Sequence, residues 1–146
     1  MVTVLVRIEP EGLPPAETSL RIGESVRGLR LPYGAPVLAS MVYLQGGRPG
    51  VRLESGVIAR AAGLELARIY YTTFGLSESR AEPFLERPEP LAWALAARMQ
   101  PSKRTVDEHR RACLDRIATA AAFDEKRRAL LRRWVKARPL WSEQRE

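Results

Sequence analysis

The chain has 146 residues and a mass of 16.4 kDa, which suits one domain or one domain with an appendage. Its 45% hydrophobic and 28% charged residues are a globular composition, excluding disordered and collagen-like chains. A formal charge of +7 points to a polyanionic or acidic partner.

The longest apolar run, Leu91 to Ala97, is too short to span a bilayer, and no basic stretch followed by an apolar one opens the chain. One cysteine excludes an internal disulfide framework and fits a reducing compartment. The expectation is a cytoplasmic protein with no membrane attachment. The basic residues are 21 Arg and 3 Lys, and Asn is absent. Both a thermophile-like composition and a GC-rich genome produce that bias. Either way, Arg supplies planar, permanently charged forks suited to phosphate and carboxylate.

The charge is lopsided. From Met1 to Ala97 ten Arg face ten Glu, whereas from Arg98 to Arg138 thirteen basic residues face five acids. A neutral N-terminal two-thirds therefore precedes a cationic C-terminal third. A basic block is usually a solvated face, but one this one-sided more often meets an anion.

Val2, Val4, Val6 and Ile8 alternate with Thr3, Leu5, Arg7 and Glu9, which predicts a strand. A loop follows at 12–16. Leu20 to Ile22 and Val26 to Leu31 read as short strands around Gly23-Glu24, a plausible hairpin. Pro36 and the apolar residues after it predict a helix from Ala35 to about Gln45, broken by Gly46-Gly-Arg-Pro-Gly50. Short helices are expected over 56–62, 64–74, 77–87 and 91–99. Thr105 and Glu108 stand at capping-box spacing for a helix reaching about Phe123. Asp124 starts a last helix that ends before Pro139.

Within 57–74, Ala59, Gly63 and Ile69 have the spacing of a close helix crossing, a left-handed turn and a core-filling branched residue. On these residues the segment resembles the helix-turn-helix superfamily, with the helix from Ala35 as third member of a unit covering about 35–75. An ordinary helical hairpin with Gly at the cap is the competing reading. The resemblance implies DNA binding, with Glu65, Leu66, Ala67, Tyr70 and Tyr71 facing the groove. That set holds no Arg, Asn or Gln to read base edges. Arg60 and Arg68 are the bases nearby.

In the last helix Leu130, Leu131, Trp134 and Val135 share one side. Arg128, Arg132 and Lys136 form a row opposite, flanked by Arg133 and Lys126. Such a row suits phosphates. The preceding helix aligns Val106, Cys113, Leu114, Ile117 and Ala121, so the two should pair as an antiparallel hairpin. Pro139-Leu-Trp141 reads as a core plug or as a docking peg.

His109 and Cys113 lie four apart without further metal ligands, the glycine-rich stretch at 46–50 lacks a phosphate-loop ending, and Glu82 and Glu86 read as solubilising charges. No catalytic residues, metal or cofactor are expected, and the protein is not expected to be an enzyme. The predicted architecture is α+β: a small N-terminal β element, the helix-turn-helix-like unit, and a basic helical hairpin. A neutral segment, 1–100, and a basic hairpin with tail, 101–146, are taken to share one compact domain. The sequence-based function is a DNA-binding, transcription-regulator-like protein that contacts DNA through Arg60, Arg68, Tyr70, Tyr71, Arg128, Arg132, Arg133 and Lys136. The alternative is a small non-enzymatic interaction factor, phage-encoded in one version, that binds an acidic surface of transcription or other nucleic-acid machinery. RNA binding, with Tyr33, Tyr43, Tyr70 and Tyr71 stacking bases, is a third. Homodimerisation is compatible with all three.

Overall fold

The computed structural model describes residues 2–29, 35–121 and 123–137. The architecture is α+β, in two compact units divided between Leu76 and Ser77. The first unit contains β1 (Thr3–Glu11), α1 (Pro15–Gly28), β2 (Val37–Gln45), β3 (Val51–Ala61) and β4 (Leu64–Gly75). The second contains α2 (Glu82–Leu85), α3 (Pro90–Ala96), α4 (Val106–Ala118) and α5 (Glu125–Lys136).

The sheet order is β1-β2-β4-β3, with β1, β2 and β4 parallel and β3 antiparallel to β4. Parallel β1 and β2 need a crossover, which α1 provides. Pro15 at the first helical position and Glu17 in the first turn start α1, and Arg27 complements the dipole at its end. Thr18, Ser19, Ile22 and Gly23 recur at helical spacing and are its buried face. They pack on the sheet with Ala39, Met41, Tyr43 and Tyr71, flanked by Leu5, Leu13, Val26 and Ile69.

Two hydroxyl pairs cross this layer. Thr18 Oγ1 lies 2.5 Å from Tyr43 OH, and Ser19 Oγ lies 3.0 Å from Tyr71 OH. Each lets a buried tyrosine keep a polar partner. Burial pushes the Tyr43 hydroxyl above its ordinary pKa. At one edge of the layer Glu9, only 7% exposed, receives Arg7 at 2.7 Å and Arg21 at 3.2 Å. The Arg7 hydrogen bond foremost, and then the charge of Arg21, hold Glu9 below the usual carboxylate range.

Several expected elements are replaced. The strands expected around Gly23-Glu24 are the single helix α1. Gly23 is there because Ile58 crosses it closely, not because the chain turns. The helix expected from Ala35 is β2, and the helix-turn-helix segment is the β3–β4 hairpin. Gly63 does adopt positive φ, at 77°, but with Ala62 at 50° it forms a two-residue turn between paired Ala61 and Leu64. The helix-turn-helix unit over 35–75 is therefore absent, and β structure extends to residue 75 rather than ending near 32.

The C-terminal helices follow expectation more closely. Thr105 and Glu108 make the full capping box of α4, and the Asp124 side chain caps α5. His109, Cys113 and Ile117 form the buried stripe of α4, packed against α3 and α5. Leu130, expected on the apolar side of α5, is 66% exposed, while Val135 is buried. The N-cap position of α2 is Ala81, which makes no side-chain capping bond. Tyr33 and the Pro139-Leu-Trp141 tail lie outside the described residues.

Glu82 is more than a solubilising charge. Its Oε1 accepts the backbone N–H and the hydroxyl of Ser102, each at 2.7 Å, which tethers α2 to the segment before α4. These donors, the N–H first, hold its pKa at about 2.

Two outcomes are expected. A Cβ at residue 56 would overlap the Ser19 side chain, so Gly56→Ala forces α1 off the sheet. Urea denaturation should show a loss of about 2–3 kcal/mol, which Ser19→Ala does not rescue because its own Cβ remains in the way. Because the Glu82 pKa is lowered on folding, its stabilisation is complete above about 4.5 and is lost as pH falls through about 2. The Tm difference between the parent and Glu82→Gln should therefore close as pH is lowered across that window.

Candidate nucleic-acid interface

The structure does not bring the eight sequence-derived contact residues together on one element. Arg60, Arg68, Tyr70 and Tyr71 stand on the hairpin, and Arg128, Arg132, Arg133 and Lys136 on α5. Successive strand residues point to opposite faces. Tyr70 is 65% exposed, whereas Tyr71 is 2% exposed beneath α1 and cannot touch a ligand. Tyr43 is buried in the same layer, so among the described tyrosines only Tyr70 could stack on a base. Arg68 is engaged by Glu65 at 2.6 Å and by the Ser55 hydroxyl at 3.1 Å. With Arg60 it borders an open groove of ≈ 580 Å³ beside Ser19 and Gly56. No helix presents these side chains to a DNA groove.

On α5, Arg127 lies 3.7 Å from Asp124, and the other five basic residues divide into two sets. Glu125 in the first turn receives Arg128 at 3.0 Å and Arg132 at 2.6 Å. Arg128 also donates to the Ala120 carbonyl and keeps only 26% of its side chain exposed. Two members of the expected row are thus spent on Glu125 and on the α4–α5 connection. Lys126, Arg133 and Lys136 are exposed, and at 100° per residue they fall within one quadrant of the helix. Their neighbour on that side is Ala129, and the one nearby acid, Glu125, is already neutralised. The exposed face of α4 differs, because Glu108, Arg111 and Asp115 mix both signs.

This cationic face rests on a rigid base. The Arg98 guanidinium stacks on the Trp134 ring, 4.1 Å from its centroid. It also donates to the Trp134 and Ala137 carbonyls at 2.9 and 3.3 Å, so a cation sits at the C-terminal end of α5. Trp134 Nε1 in turn donates to the Ala94 carbonyl. Arg116 donates to the Leu85 carbonyl. Of the basic excess in this region, Arg98, Arg116 and Arg128 brace the helices. Nothing in the sequence distinguishes Arg98 from a surface arginine, since its partners come from a helix more than thirty residues away.

His109 and Cys113 are core residues. His109 Nε2 is 2.7 Å from the Ala96 carbonyl and therefore carries the proton of that bond. Burial pushes the Cys113 thiol up to about 11. Among the described residues no group of three or more His, Cys, Asp or Glu side chains could hold a metal, and no helix is long and apolar enough to cross a membrane.

Comparison with protein-family models, with curated proteins and with solved structures returns no match.

Trp134→Ala should cost about 3 kcal/mol in chemical denaturation, through the lost ring and the carbonyl left at Ala94. Arg98→Gln should cost about 2 kcal/mol, from the stacked cation and its bonds to the helix end. A change under about 0.5 kcal/mol for both would show that this brace contributes nothing.

Proposed function

We propose that the protein binds DNA through its phosphates, using the exposed cationic face of α5, and that it does so with little sequence preference. The supporting observation is the set Lys126, Arg133 and Lys136, exposed together on a braced helix beside an acid that two other arginines already neutralise. Three cations at fixed spacing engage neighbouring phosphates, and such contacts set affinity and register without reading bases. Direct readout is not part of the proposal, because the segment that would supply a recognition helix is a β-hairpin. RNA recognition by stacking is disfavoured, since Tyr43 and Tyr71 are inside the core. The role fits a non-enzymatic, cytoplasmic partner of nucleic-acid machinery.

Fluorescence anisotropy with duplexes of unrelated sequence tests this. The parent should bind them alike, with log affinity falling linearly with log salt. The triple change Lys126→Gln, Arg133→Gln and Lys136→Gln should weaken binding and flatten that slope by about 0.9 per lost contact, leaving stability within about 0.5 kcal/mol. A parent that fails to bind duplex DNA at low salt overturns the proposal. So does a triple variant with an unchanged slope.

A further inference from the structure

The face of the sheet opposite α1 carries a second feature, independent of the cationic helix. Register fixes which side chains share it. Ile8, Val42, Phe74 and Val51 form one row across all four strands, and Val6, Ser40, Thr72 and Leu53 form the next. Val4 pairs with Leu38, and Ser55 with Tyr70, to continue the face. Seven of these side chains are half or more exposed, from Leu38 at 51% to Leu53 at 75%. Chains that work alone rarely leave so continuous an apolar surface in water. Sheets built largely of parallel strands normally have both faces covered.

We infer that this face is the homodimer interface, covered by the same face of a second copy. Two observations favour that occupant. First, no Asp, Glu, Lys or Arg stands in the two full rows, so the surface offers an acidic or basic partner nothing to match. An uncharged face is compatible with itself, as an isologous contact requires. Second, the polar pair in its middle is self-sufficient, since Ser40 and Thr72 hydroxyls bond each other at 2.7 Å and can be buried dry. Two such faces stack about 10 Å apart as a sandwich.

Sedimentation velocity with light scattering on the full chain tests the inference. The parent should be a dimer, twice 16.4 kDa. Val6→Lys and Leu53→Glu each place a charge on the face, at positions exposed enough for the monomer to tolerate it. Each should weaken self-association at least about 100-fold while leaving the circular dichroism unchanged. Leu20→Glu, on an exposed position of α1 away from this face, should remain dimeric. If Val6→Lys loses its fold, Leu53→Glu at the more exposed position decides. A monomeric parent, open-ended association beyond two copies, or a dimer that persists in the folded face variants overturns the inference.

Discussion

The first unit depends on a side chain that is missing. Helix α1 lies against β3 with Ser19 seated over residue 56, and only hydrogen fits between them. That close approach lets Ser19 and Thr18 reach the hydroxyls of Tyr71 and Tyr43, one on each of the two central strands. The helix is thereby set by short polar contacts as well as by Ile22, which is fully buried among Ala39, Met41 and the tyrosine rings. Apolar burial is non-directional, whereas hydroxyl pairs have fixed lengths. Together they select one placement of the helix along the strands.

What the sequence made legible follows from whether the two faces of an element differ in polarity. In β1 the alternation is clear because Arg7 and Glu9 mark one face against Val4, Val6 and Ile8 on the other. In β2 both faces are apolar, with Ala39, Met41 and Tyr43 beneath α1 and Leu38, Val42 and Leu44 opposite, so periodicity cannot separate strand from helix. The run Tyr70-Tyr-Thr-Thr-Phe74 was the available sign of a strand, since aromatic and β-branched residues suit a pleated surface. Spacing of Ala59, Gly63 and Ile69 fits a helical turn and a hairpin turn equally well. In both, glycine is required for the same left-handed backbone. The helices from Thr105 onward were legible because their signals are local: side chains that bond backbone N–H groups three residues away.

Charge was legible as a total and not as a surface. The block from Arg98 to Arg138 does concentrate cations, yet the structure turns part of it inward, onto carbonyls, a tryptophan ring and Glu125. Helical spacing alone ranks Arg128 and Arg132 with Lys136. Only the placement of Glu125 separates the paired from the open positions. The same limit applies to the tyrosines: a helical reading puts Tyr70 and Tyr71 side by side, whereas the strand puts them on opposite sides of the sheet.

Cys113 sits at the centre of the helical unit, fully buried, with its thiol raised to about 11. Only the thiolate attacks a thiol reagent, and here the reagent must wait for the helices to part. The chain has one such atom, so the rate of its modification reports the breathing of the helical unit alone. The tyrosine hydroxyls and the sheet's amide protons report the other unit. The molecule therefore contains its own chemical clock for one half, separate from the spectroscopic signals of the other, and the two halves can be timed independently.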